Sequence, residues 1–338
     1  MAALIVALGM ILGIILLRRA LLIAQQRTAR VANTWRDVLM GAVTGHLNAE
    51  RLPRLNRKDQ IEFLKLWNYY HGSLRGKAIE GLNSVALQLG VDNLARRLHA
   101  RGGRAERLLA ILTLGNLRDA ASWAELQASA NGKDTVASLN AARALIQINP
   151  ERGASILMPM LLARGDWDIA RVGHMFQGAS ECFSALLAAR LGKLPAGQRL
   201  RALRLAHSMH LQLPADGLRE LLRGARDASV IVAVYRAATG PALLPEIRAG
   251  LRHEDWRVRV GAVNAIARLG QKSDVHTLTA LLADPQWWVR YRGAQALAGP
   301  VSISPQGLKE LWWKAKDPGA RAILYQVCVE RGVLSMPL

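Results

Sequence analysis

In 338 residues the chain has two cysteines, three phenylalanines and five tyrosines, and no stretch alternates Val, Ile or Thr with polar residues. Each shortage excludes something. Cys182 and Cys328 lie far apart and form no Cys-x-x-Cys, which excludes a disulfide framework or a thiolate zinc site and fits a reducing compartment. Both are expected as small core residues of helices. Without strand patterning, an Ala- and Leu-dominated composition predicts helix throughout. At 51% hydrophobic residues the chain is too apolar for disorder, and it is longer than one comfortable globular core, so two domains or an elongated array are expected. No GxxxxGK[ST], GxGxxG, HExxH or GxSxG can be read, which removes the commonest nucleotide-binding, metalloprotease and serine-hydrolase classes. His207 and His210 share a helical spacing but have no third ligand nearby, so they are expected as surface or groove histidines. Asp166 and Asp168 flank Trp167 at a predicted turn, where Asp caps helices rather than forming an acid/base pair. No catalytic residue, cofactor or metal is assigned.

Acidic side chains are also scarce, 25 against 45 Lys and Arg, leaving a net charge of +20. The imbalance is denser near the N-terminus, with 17 basic and 7 acidic residues over 1–107. Such a surplus suits anionic lipid, nucleic acid or an acidic protein face. One long apolar run stands out: Ala2–Leu17, AALIVALGMILGIILL, is followed by Arg18-Arg19 and a second short apolar stretch, Ala20–Ala24. A bilayer core about 30 Å thick requires around 20 such residues. The basic residues follow the run instead of preceding it, and Leu22-Ile23-Ala24 is a poor cleavage site, so residues 1–24 are expected as an uncleaved transmembrane anchor. Arg18, Arg19, Arg27, Arg30 and Arg36 all flank its C-terminal side, which predicts a cytoplasmic body on the inner membrane with these five residues contacting lipid. Gly9 and Gly13 form a GxxxG, a candidate helix-pairing face. Residues 25–70 are expected as a basic juxtamembrane helical segment, with Arg51, Arg54, Arg57 and Lys58 continuing the charge and a break at Leu52-Pro53-Arg54. Ile61, Leu64, Leu66, Trp67 and Tyr70 are expected to form an apolar face that caps the first repeat.

Residues 71–338 repeat. Trp256–Gly270, WRVRVGAVNAIARLG, and Trp287–Gly299, WWVRYRGAQALAG, superpose at an offset of 31, and 31 further on come Ala320-Arg321, Leu324, Val327 and Cys328. Related units start at Leu74, Ala105, Ala137 and Ile169, with weaker ones near Leu200 and Val230, about nine in all. Small residues at i, i+3 and i+4 of each first helix (Gly81, Gly173, Ala262, Gly293) let a neighbour approach closely, and a second helix follows, as in Leu244–Leu251 or Val275–Leu282. Asp284-Pro285, Asp317-Pro318-Gly319, Asn149-Pro150 and Gly240-Pro241 mark the turns, Asp as cap and Pro at helix starts. One such pair cannot bury its own apolar faces, so the pairs must stack.

Asp255, Val258-Arg259, Ala262, Ala265-Ile266 and Leu269-Gly270, with Asp284, Val289-Arg290, Gly293 and Ala296-Leu297, resemble the HEAT repeat family in its short bacterial type, also seen in phycobilin lyase-like proteins. The resemblance implies an all-α fold, an α-solenoid of stacked helix pairs, and a protein-binding scaffold. Tryptophan is the unusual residue of this array, with five of the nine at Trp256, Trp287, Trp288, Trp312 and Trp313. Trp256 and Trp287 precede the Val-Arg of adjacent units and are expected either to lie in the grooves between helices or, with Arg257, Arg259, Arg290, Arg292, Lys314 and Lys316, to form a partner-binding surface. The leading expectation is a membrane-tethered adaptor. Phe63–Gly76 resembles a segment of bacterial HEAT proteins that accompany membrane glycosyltransferases of exopolysaccharide systems, which makes such a system a candidate partner. The alternatives are a nucleic-acid-binding protein resembling the HEAT-like DNA glycosylases, whose active-site residues do not align onto this chain, and a lyase or chaperone of the phycobilin lyase-like type.

Overall fold

The computed structural model describes residues 2–46, 52–299 and 303–334, with side chains from Gly9 onward; Arg51 of the basic segment lies outside the described residues. All regular structure in these residues is helical, and it forms two compact units, Met1–Gly153 and Ala154–Leu338. The first unit begins with α1 (Ala2–Thr44), α2 (Gln60–Ser73), α3 (Lys77–Gln88) and α4 (Val91–Arg101). It continues with α5 (Arg104–Leu117), α6 (Trp123–Ala130) and α7 (Thr135–Ile148), and α8 (Pro150–Ala163) carries the chain across the division.

α1 is one helix of 43 residues, so the expected change of character near residue 24 is not a break in the backbone. Its two parts differ in what they touch. From Met10 to Ile23 every large apolar side chain is exposed. From Val31 onward, Val31, Trp35, Leu39 and Ala42, spaced by three or four residues, are buried along one face. They meet Phe63, Leu64 and Trp67 of α2 and Leu82, Val85 and Ala86 of α3 in a single core. Trp35 packs edge-on to Phe63 at 4.7 Å, and Trp67 Nε1 donates to the carbonyl of Leu82 at 2.9 Å. Of the expected capping face, Leu64 and Trp67 are fully buried, while Ile61, Leu66 and Tyr70 are half-buried. Residues 31–43 and 63–70 therefore supply part of the core of this unit.

The second unit contains α9 (Ile169–Phe176), α10 (Ser180–Ala188), α11 (Ala196–Ser208), α12 (Ala215–Arg223), α13 (Ala228–Ala237) and α14 (Leu244–Gly250). After these come α15 (Trp256–Leu269), α16 (Val275–Ala280), α17 (Trp287–Leu297), α18 (Pro305–Lys314) and α19 (Pro318–Glu330). The odd-numbered helices form a row, each packed on the next, while α12, α14, α16 and α18 pack against the odd-numbered helix that follows them. This is the helix-on-helix stacking of an α-solenoid. The first helices of the pairs begin at residues 77, 104, 135, 169, 196, 228, 256, 287 and 318, within four residues of the starts expected from the repeats. Asp134, Asp168, Asp227, Asp255 and Asp317 each accept a backbone amide at the start of α7, α9, α13, α15 and α19. Each such cap stabilises its helix by about 1 kcal/mol.

The small residues do the work anticipated for them. A methyl group on Gly81 of α3 would run into the carbonyl of Ala42 on α1, and one on Gly173 of α9 would collide with Ser208 on α11. Gly81→Ala is therefore expected to destabilise the protein by about 1–3 kcal/mol through overpacking, measured by urea unfolding. Unchanged stability would mean that α1 does not dock on α3.

Candidate functional site

The row of first helices in the second unit presents one face with a repeating spacing. α13 contributes Ala228, Ser229, Val232, Ala233 and Arg236, and α15 contributes Trp256, Arg257, Val260, Gly261 and Asn264 at the same 0, 1, 4, 5, 8 interval. With Leu203, Arg204, His207 and Ser208 of α11, His210, and Asp168 to Ala170 at the start of α9, they line a groove of about 860 Å³. The floor is kept low by small side chains; a methyl on Gly261, for instance, would press on Val232. Exposed arginines and a tryptophan form the sides: Trp256 is 37% exposed, and Arg204, Arg236 and Arg257 are exposed as well. Arg204 and Arg236 pair with no carboxylate among the described residues. Arg257 lies on Asp255, and its guanidinium holds the Asp255 carboxyl at about 2. His207 Nδ1 donates to the carbonyl of Arg236 at 3.0 Å, fixing that imidazole between α11 and α13. His210 follows α11 with a left-handed backbone, φ 54°. Neither histidine belongs to a group of three metal-ligating side chains, and no such group occurs among the described residues. Asp168 caps α9 and Asp166 pairs with Arg164, so each carboxylate of that pair has its own local partner.

The residues singled out in the sequence fall into three environments. Trp256 and Arg257 line the groove. Trp287, Trp288 and Arg292 stand at the equivalent positions of α17, where Trp287 stacks on Tyr291 at 4.9 Å and meets Trp288 edge-on at 4.7 Å. Trp256 and Trp287 share a register position but no ring contact. Trp312 and Trp313 sit on α18, a second helix, with the Arg321 guanidinium 5.7 and 5.8 Å from their rings.

Arg259 and Arg290, the arginines of the Val-Arg signature, are inside the repeat. Arg259 is 11% exposed and forms a two-pronged pair with Asp284 at 2.8 and 2.9 Å. Its Nη1 also donates to the carbonyls of His253 and Glu254, six and five residues back. Arg290 Nη1 repeats that contact with Asp284 and Pro285, again six and five residues back. Ala315 stands where Asp284 would recur, and the buried Nε of Arg290 has no acceptor. The signature arginine is thus a clamp on the turn before its own helix. Arg204, Arg236 and Asn264 went unnoticed in the sequence; the 0, 1, 4, 5, 8 interval counted from Trp256 is the signal that finds them. Arg259→Ala is expected to cost about 3 kcal/mol because it strands the buried Asp284, whereas Arg257→Ala should stay within about 0.5 kcal/mol. Thermal unfolding of the two variants separates clamp from surface.

No curated protein matches this chain. Residues 215–298, from the start of α12 through the end of α17, match the family of HEAT repeats. The matched stretch contains the Asp255 cap, the Arg259–Asp284 clamp and the groove positions of α13 and α15, and the same stacking of first helices extends beyond it to α9 and α19. The chain thus contains HEAT repeats within an all-α array, and such repeats commonly serve as a scaffold for protein interaction.

Proposed function

We propose that this chain is a membrane-tethered scaffold whose second unit holds an acidic segment of a partner protein in the groove between α9 and α15. The observation that carries the reading is the combination of Trp256 with the unanswered Arg204 and Arg236 around a floor of small apolar side chains. Trp and Arg anchor interfaces because they supply contact area and fixed donors at low entropic cost. The apolar floor takes a side chain of the partner, and the arginines take its carboxylates.

The tether is the first part of α1. It contains an exposed, apolar window that begins at Gly9, is long enough to cross a bilayer and has a mean hydropathy of 1.4. Docking on the body starts only at Thr28, whose hydroxyl donates to Glu62 at 3.0 Å, so the residues before it are available to lipid. Arg18, Arg19, Arg27, Arg30 and Arg36 on the C-terminal side favour a cytoplasmic body on the inner membrane. For the partner, a membrane glycosyltransferase of a polysaccharide system rests on the resemblance over Phe63–Gly76. Phe63, Leu64 and Trp67 are wholly buried, so likeness in that segment favours a common core more than a common docking surface. The basic groove also suits a nucleic-acid strand, and that reading is the competitor in the test.

A photoreactive residue at Val232 of the full-length protein, crosslinked in native membranes, is expected to trap one integral-membrane partner. Trp256→Ala should reduce that crosslink about 30-fold, the equivalent of a hot-spot loss near 2 kcal/mol. Crosslinks to nucleic acid that vanish at raised salt, or none that respond to Trp256, would overturn the reading.

A further inference from the structure

The first unit has an end nearest the apolar stretch of α1, and the start of α2 lies there. Thr28 on α1 donates to Glu62 on α2 at 3.0 Å. Deeper in the body Trp35 meets Phe63, and Trp67 donates to the carbonyl of Leu82, whose neighbour Gly81 abuts Ala42. α2 therefore runs away from the apolar stretch in the same sense as α1. Ile23 is the last exposed large apolar side chain before the docked part of α1. It precedes Thr28 by five residues, about 8 Å along the helix axis. Lipid headgroups add about 5–7 Å on each side of the hydrocarbon core. With the tether in a bilayer, the start of α2 stands at the outer edge of the headgroup layer.

A basic cavity is found at this end. The short turn Arg57–Asp59 leads into α2, and Arg57 and Gln60 line a cavity of about 660 Å³ together with Leu94, Arg97, Leu98 and Arg101 of α4. The four α4 positions are three or four residues apart, so they share one face of that helix. Leu94 is buried and Leu98 half-buried, which gives the cavity an apolar wall. Arg57, Arg97 and Arg101 are exposed and pair with no carboxylate among the described residues. Glu106, the carboxylate in the lining, already accepts the backbone amide of Gly103 at 2.8 Å at the start of α5. Arg96, the residue before Arg97, is instead answered by Asp92 and Asp119. The fold thus neutralises one of these adjacent arginines internally and leaves the other facing the cavity.

We propose that this cavity binds the headgroup of an anionic phospholipid carrying two negative charges, a reading that rests on the tether proposed above. Planar, forked guanidinium donors from two separate elements match phosphate oxygens. Three arginines against Glu106 leave two positive charges to be answered, so a doubly charged headgroup fits better than a singly charged one. The wall of Leu94 and Leu98 suits the glycerol carbons that connect phosphate to the acyl chains. A soluble anion would meet the same donors; the position of the cavity, at headgroup level beside the exit of the apolar stretch, favours lipid. The site lies in the first unit and is independent of the groove in the second.

The test uses the full-length protein in a mild nonionic detergent, with bound lipid counted by native mass spectrometry during titration with cardiolipin, phosphatidylglycerol or phosphatidylcholine. Cardiolipin is expected to bind most tightly and phosphatidylcholine least. Arg97→Gln combined with Arg101→Gln should weaken cardiolipin binding by about tenfold or more, the loss expected for charge-assisted contacts. Arg57→Gln, which alters the other wall, should weaken it in the same direction. The thermal midpoint should not move in either variant, because all three side chains are exposed. Arg223→Gln combined with Arg226→Gln removes equal charge from the second unit and should leave cardiolipin binding as in the wild type. Retention of the wild type in phosphatidylcholine vesicles through an alkaline wash tests the tether by itself. A protein that washes off overturns the tether reading; one that is retained but shows no preference for cardiolipin overturns the headgroup site alone. The proposal is also overturned if the cavity variants bind cardiolipin like the wild type, or if the control pair loses as much as they do. Displacement of the lipid by inorganic phosphate would assign the cavity to a free anion and overturn the lipid assignment.

Discussion

No helix pair in this chain can bury its own apolar face, and the next pair can cover it only because backbones come into near-contact at small residues. Gly81 against Ala42, Gly173 against Ser208 and Gly261 against Val232 are such contacts. A methyl group at any of these seams either collides with backbone or forces a packed side chain to move, and cores resist such additions because they are already close-packed. The Asp caps and the arginine clamps are arranged around this requirement. The caps set where α7, α9, α13, α15 and α19 begin, and Arg259 and Arg290 hold the turns that precede α15 and α17, so the small residues arrive in register.

The same requirement explains why α1 belongs to two environments. A helix that stops being apolar all round at Arg18 still has to cover the open side of the first repeat. Val31, Trp35, Leu39 and Ala42 do this by presenting one stripe to α2 and α3. One continuous helix thus links a stretch suited to lipid with a stretch that forms part of the folded core. The backbone runs through both stretches as one helix, with no flexible linker between them.

Regular stacking also generates a surface. Because successive first helices present residues at a constant interval on one face, a side chain placed there recurs beside its neighbours, and the face becomes a continuous surface. In the second unit that surface carries Trp256 and unpaired arginines over a small-residue floor. In the first unit a buried amide relay fastens α2, α5 and α7 to one another. Around the groove the fold puts the positive charge of Arg204 and Arg236 where it supplies no carboxylate among the described residues.

Much of this was legible in the residues. The helical class, the repeat starts, the capping Asp residues and the small-residue seams derive from local rules: helix propensity, side-chain capping and the steric size of Gly and Ala act over a few residues and recur with the repeat. The residue alone could not tell Arg257 from Arg259. They lie two positions apart with the same chemistry, yet one faces solvent beside the groove and the other is clamped to Asp284, because a helix turns about 200° over two residues. Likewise, Asn68, Thr113, Asn116 and Gln147 carry no shared motif; they meet only because α2, α5 and α7 pack together. Periodic, short-range physics determined the architecture from the sequence, and the long-range packing of helices decided which charges are answered within the fold and which are left facing solvent.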